Sequence, residues 1–177
     1  LRRAGEPFAL GLRADDRWGN PSHRPAGRFH LRASAPVAGL PVHIDWPAGA
    51  RSVRVDGLTA PPGDLGITLH DAAGATLATS NPLRLVAQAG HLPFWADMHG
   101  QSEETIGTNT AHRLAEYARD LAFIDAMCHQ GNDFQITAGF WGALNDLTRE
   151  FDETGRFVFF PGYEWFDWNS LLADEPE

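Results

Sequence analysis

Residues 94–105 read FWADMHGQSEET. An aromatic pair runs into Asp97, then His99, then Gln101 and the pair Glu103-Glu104. Upstream, the chain is made of short alternating segments. Downstream, its apolar residues fall at helical spacing. The reading of the fold turns on this junction, where polar, ligand-capable residues sit between two kinds of pattern.

Upstream, residues 8–13, 28–33, 42–46, 51–55 and 66–70 each alternate apolar and polar side chains. That is the period of strands with one buried face. Turn signals separate them: Asp16, Gly19-Asn20-Pro21, Pro25-Ala26-Gly27, Pro61-Pro62-Gly63 and Ala73-Gly74. Strands at this spacing predict a small β-sandwich. The stretch from Ala14 to Pro21 resembles the D-x-x-G-N-P turn of bacterial immunoglobulin-like modules, so the sandwich is expected to be Ig-like. Residues 83–86 are its expected last strand and 87–90 a hinge. Domain boundaries follow at 1–90 and 91–177.

Downstream, residues 92–96 predict a short strand. Ala111, Leu114, Ala115, Ala118 and Leu121 fall on one helical face, with Asn109 or Thr110 as N-cap. Residues 121–127 form an apolar run expected of a strand buried on both faces. Phe140, Leu144, Leu147 and Phe151 mark a second helix, stopped at Gly155. Residues 157–160 predict a third strand, ended by Pro161-Gly162. The order β-α-β-α-β implies a parallel sheet or the first part of a βα barrel. The chain is therefore expected to be α+β in two parts: a sandwich, then a partial barrel of about three parallel strands.

This placement gives the polar residues a common address. His99 and Gln101 are expected after the first parallel strand, His129 after the second and Glu164 after the third. Loops after strand C-termini line the functional face of such folds. Imidazole and carboxylate donors suit Zn, Mn or Fe, as one or two ions. Two close ions activate a water and hold a phosphoryl oxygen. The catalytic candidates are His99, His129 and Glu164. The metal set adds Gln101, with Asp97, Glu104 and Asp133 as further neighbours.

Each residue also has a plainer role. Glu103-Glu104 suits a solvated helix start. Gln101 suits a loop hydrogen bond, and Asp97 the orientation of a ligand histidine. Asp133 suits a turn, and Cys128 a buried small apolar position. The histidines at 23, 30, 43, 70 and 91 read as structural, and His112 as exposed.

The motifs resemble the PHP (polymerase and histidinol phosphatase) superfamily of metal-dependent phosphoesterases. Asp97-Met98-His99-Gly100-Gln101 resembles its opening D-L-H-x-H, and residues 121–129 resemble L-D-F-I-A-I-T-D-H. Pro161-Gly162-Tyr163-Glu164 resembles P-G-x-E, which implies a bridging role for Glu164. The spelling HGQSEE, CHQGND and PGYEW is most similar to the PHP-like group called domain of unknown function 3604, whose members carry a β-rich segment first. Three positions depart from the family. Gln101 stands where its second histidine is expected, Cys128 where an aspartate is, and Thr105-Ile106-Gly107 where S-D-G is. The resemblance also implies further ligands well beyond Glu164. The chain is thus expected to be a fragment, marginally stable over 92–177 and inactive by itself.

The whole protein is expected to be a metal-dependent hydrolase acting on a small, phosphorylated molecule. One rival is carbon–nitrogen cleavage of the amidohydrolase type with the same donors. Another is a degenerate, non-catalytic domain whose sandwich serves as a binding or spacer module, with Trp18 and Trp46 contacting sugar. The formal net charge of −9 disfavours nucleic acid. No apolar run reaches the ~20 residues of a membrane helix. The single cysteine excludes an intramolecular disulfide, and a cytoplasmic location is favoured over a periplasmic one. The sequence leaves the oligomeric state open.

Overall fold

The computed structural model describes residues 1–165. The chain divides into two compact units, Leu1–Pro93 and Phe94–Glu177.

Every regular element of the first unit is a strand. They are β1 (Arg2–Arg3), β2 (Phe8–Arg13), β3 (Gly27–Ala33), β4 (His43–Trp46), β5 (Ser52–Leu58), β6 (Gly63–Leu65), β7 (Ile67–His70), β8 (Thr76–Thr79) and β9 (Leu83–Val86). They pair as three sheets, β1-β9-β6, β2-β5 and β4-β3-β7-β8. An immunoglobulin-like sandwich has two sheets, so that expectation is corrected. Pro61 and Pro62 lack an N–H, and Gly57 and Gly63 take positive φ. The chain therefore leaves β5 sharply, and β6 pairs with β9 instead. The core collects the inward rows: Leu10, Leu31, Ile44, Trp46, Leu58, Leu65, Ile67 and Leu85. Trp46 is buried, donates its indole N–H to the Ala50 carbonyl (3.0 Å) and packs edge-on against Phe29. It cannot meet a sugar there. Trp18 is exposed beneath the Arg17 guanidinium.

The second unit contains β10 (Ala96–Gly100), α1 (Ala111–Glu116), a π-helical continuation (Tyr117–Leu121), β11 (Ala126–His129), β12 (Gly131–Asn132), a 3-10 turn (Asp133–Gln135), α2 (Ala138–Phe151), β13 (Val158–Phe160) and β14 (Tyr163–Glu164). Thr110 and Thr137 cap the two helices by accepting from the N–H groups of Arg113 and Phe140. The bond from Ala122 N to Tyr117 O spans five residues, which widens the helix end. Phe123, at φ +54°, then turns the chain out of the helix.

The partial βα barrel is corrected as well. Strands predominate among the described residues, and the two α-helices have only six and fourteen residues. Among the described residues, β10, β11 and β13 form an open three-stranded parallel sheet, and β12-β14 a separate parallel pair. Met127 and Phe159 share a row of this sheet and enter a core with Ala111, Ala115, Ala118, Leu144, Leu147 and Phe151. Thus both helices cover one face. Val158 and Phe160 alternate away from it and are exposed. A barrel strand is covered on both sides, and this edge strand is not.

Strand positions also moved. The first parallel strand is Ala96–Gly100 rather than 92–96, and the second is Ala126–His129 rather than 121–127. Asp97, His99 and His129 consequently lie within strands. No helix among the described residues is long and apolar enough to cross a membrane.

Candidate functional site

β10 pairs with β11 at Ala96↔Ala126, Asp97↔Met127 and Gly100↔His129. Between Asp97 and Gly100 the register shifts, so β10 carries one extra residue at Met98-His99. Such a bulge bends the strand and re-aims its side chains. Asp97 supports it, its carboxylate accepting from the His99 N–H at 3.0 Å. Asp97 therefore orients the backbone of His99 and leaves the ring free. Gly100 suits this close approach, because a Cβ would crowd the Met127 methyl and stand 3.2 Å from the Cys128 carbonyl.

The bulge turns His99 toward Glu164. The imidazole Nε2 lies 3.4 Å from the carboxylate Oε2, with side-chain exposures of 64% and 41%. Glu164 is placed by the small parallel pair β12-β14, where Asn132 stands opposite it. This brings the side chains of two predicted donors together.

His129 behaves differently. It is fully buried, its Nδ1 accepts from the Gly131 N–H at 3.2 Å, and its Nε2 lies 2.8 Å from the Ser102 hydroxyl. With Nδ1 accepting, the proton belongs on Nε2, which donates to Ser102. Phe140 meets the ring edge-on. Burial holds the pKa below its ordinary value, against smaller opposing effects of the Gly162 backbone and the Glu104 charge. Both nitrogens are thus spoken for, and His129 presents no lone pair toward His99 and Glu164.

The remaining candidates are engaged locally. The Gln101 side-chain oxygen accepts from the Thr105 hydroxyl at 2.8 Å. Glu104 accepts from the Ala111 N–H at the start of α1. Asp133 accepts from the Phe134 N–H and opens the 3-10 turn. Cys128 is buried and its thiol pKa is pushed up by burial, partly opposed by the hydrogen bond from Gln130. Among the described residues, no three His, Cys, Asp or Glu side chains converge as a ready-made ion site.

Sequence reasoning missed Ser102, which is fully buried and completes the hydrogen bonding of His129. A loop hydroxyl has no periodicity to betray it. The one available signal was its place inside the HGQSEE string. Gly162 is expected as a strand stop and as part of P-G-x-E, and it also packs closely. Its α-carbon lies against the end of β11: an added Cβ would come 2.7 Å from the Cys128 sulfur and 2.7 Å from the His129 carbonyl.

No protein-family model matches the chain. It is similar to an uncharacterized protein of Chlamydia trachomatis serovar D, with 22% identity over 175 residues. That alignment covers 96% of the chain but 27% of the relative, so the chain spans about a quarter of that protein's length.

Proposed function

We propose that the second unit carries part of the site of a metal-dependent hydrolase, of PHP-like chemistry, acting on a phosphoester. The observation that supports it is the approach of His99 Nε2 to Glu164 Oε2 at 3.4 Å. Two residues far apart in sequence present an imidazole nitrogen and a carboxylate oxygen to solvent at one point. That donor pair fits Zn, Mn or Fe(II). His129 does not fit while Gly131 and Ser102 hold its ring. The proposed ligands are therefore His99 and Glu164, with Gln101 two residues along the chain from His99 as a further candidate. Gln101 would first have to release the Thr105 hydroxyl.

A divalent ion there would supply Lewis acidity toward a phosphoryl oxygen and make water a better nucleophile. The chain's own residues do the positioning. Asp97 fixes the bulge that presents His99. The β12-β14 pairing fixes Glu164. His129 and Ser102 tie the end of β11 to the loop that follows β10.

The same observations give a second reading some weight. The occupied nitrogens of His129 favour a degenerate domain without catalysis. One experiment separates the two. Metal content is measured by mass spectrometry after loading with Zn, Mn or Fe(II), for a longer protein that contains the chain and for its His99→Ala/Glu164→Ala variant. Phosphate-ester and amide panels are run in parallel. Stoichiometric metal that the double variant loses, with ester hydrolysis, supports the proposal. Amide hydrolysis instead moves the reaction class to carbon–nitrogen cleavage. Equal, substoichiometric metal in both proteins overturns the metal site and leaves the degenerate domain.

A further inference from the structure

The first unit holds a feature that does not depend on the proposed hydrolase site. In the four-stranded sheet, His43 on β4 stands opposite His30 on β3, and His30 stands opposite His70 on β7. His70 in turn pairs with Thr76 on β8. Three histidines form one lateral row across adjacent strands. The core side of this sheet is taken by Leu31, Ile44, Trp46 and Ile67. Alternation therefore puts the histidine row on the outer face.

The pairing type matters. Leu31 N–H bonds to the Val42 carbonyl at 3.0 Å, which makes 31–42 a hydrogen-bonded pair. His30–His43, the next pair along, is then non-hydrogen-bonded, the arrangement in which opposite side chains stand closest. Their ring centroids are 6.5 Å apart at 68°. Neither ring hydrogen-bonds to another described residue. His43 is exposed and His30 half-buried. The third member is already committed. His70 Nε2 lies 2.8 Å from the Thr68 hydroxyl, and Nδ1 lies 3.3 Å from both the Gly74 carbonyl and the Thr76 hydroxyl. Asp45, two residues from His43 on the same face, is held by Arg28 through bonds of 2.8 and 3.0 Å. That ion pair occupies the carboxylate and bounds the row on one side.

We infer that His30 and His43 form a two-imidazole chelate for a divalent transition-metal ion such as zinc(II), on the outer face of the first unit. Paired imidazoles select zinc, copper or nickel over magnesium or calcium. The strands fix both Cβ positions beforehand. The ion closes the site by turning the exposed His43 ring toward His30, and water fills the remaining positions. His70 stays on its hydroxyls and holds the neighbouring strand in register.

The test uses the chain carrying His99→Ala/Glu164→Ala, so that ions taken by the second unit are not counted. Zinc(II) is titrated while the histidine ring signals are followed by NMR. The His30 and His43 signals should shift together and saturate at one zinc per chain, with His70 unmoved. A further His43→Asn change should abolish the saturable transition while the His70 signals stay in place, which reports an intact sheet. Unmoved His30 and His43 signals overturn the inference. So does a titration that His43→Asn leaves unchanged. A bidentate site is also excluded if only one of the two rings responds.

Discussion

The ends of β10 and β11 lie side by side in one parallel sheet, yet they treat their histidines oppositely. At the end of β10 an extra residue bulges the strand, and His99 is thrown outward to within 3.4 Å of Glu164. At the end of β11 the ladder runs on to His129, whose ring is sealed between Ser102, Gly131 and Phe140. The residue type is the same and the strands are neighbours. What differs is register. A bulge converts a ladder position into an exposed one; its absence leaves the next histidine a buried polar group that must find two partners. In this structure, motif spelling does not decide which histidine is available for chemistry. Local strand pairing does.

The largest effect should come from exchanging the two roles. His129→Ala removes a buried ring, leaves the Ser102 hydroxyl and the Gly131 N–H without partners, and opens a cavity beside Phe140. The expected cost is about 3 kcal/mol of stability. His99→Ala at the exposed end should change stability by less than about 0.5 kcal/mol. Urea denaturation of the two variants measures both. Equal costs would break the contrast between the strand ends.

Next comes the packing that holds the buried end in place. Gly162 crosses the end of β11 so closely that an alanine Cβ would meet the His129 carbonyl and the Cys128 sulfur. Backbone cannot yield as a side chain does, so Gly162→Ala should cost about 2 kcal/mol through overpacking. The Phe159 and His129 resonances should shift with it. Gly142→Ala, on α2 with open space around its Cβ, should be neutral or slightly stabilising. A thermal melt of the pair checks this. A silent Gly162→Ala would mean that β11 tolerates a different neighbour.

These contrasts show what the sequence could and could not display. β2 spans Phe8–Arg13 as its alternation predicts, and Leu144, Leu147 and Phe151 are buried on α2 at the expected helical spacing. Periodic burial leaves a periodic trace. β1 and β6 left none, since two and three residues are too few to show a period, and β8 is exposed at every position. β10 misled for another reason. It is an edge strand, so its outer side chains need not be apolar. The apolar run at 92–96 drew the strand upstream of its true place. The barrel reading failed because β-α-β-α-β order states connectivity, while closure depends on pairing partners that connectivity does not reveal. Within the site, His99 and Glu164 were legible as polar residues near strand ends. The sealed state of His129 was not, because it depends on Ser102 and on an unbulged register.

The smallest effect is the dependence of the buried end on pH, and its sign follows from the burial of His129. Its pKa in the folded chain lies below the ordinary 6.5 because burial disfavours the charged ring. The Glu104 charge and the Gly162 backbone pull the other way without overcoming it. As pH falls through about 6.5, the unfolded chain therefore takes up a proton that the folded chain still refuses. Protons then favour the unfolded state, so stability is complete above that pH and declines below it, until the folded pKa is reached. The expected result is a lower urea midpoint at pH 5.5 than at pH 7.5. The part due to this ring should vanish in His129→Gln, which keeps a polar side chain but cannot titrate. If His129→Gln kept the whole difference, the sealed ring would not be what couples this strand end to pH.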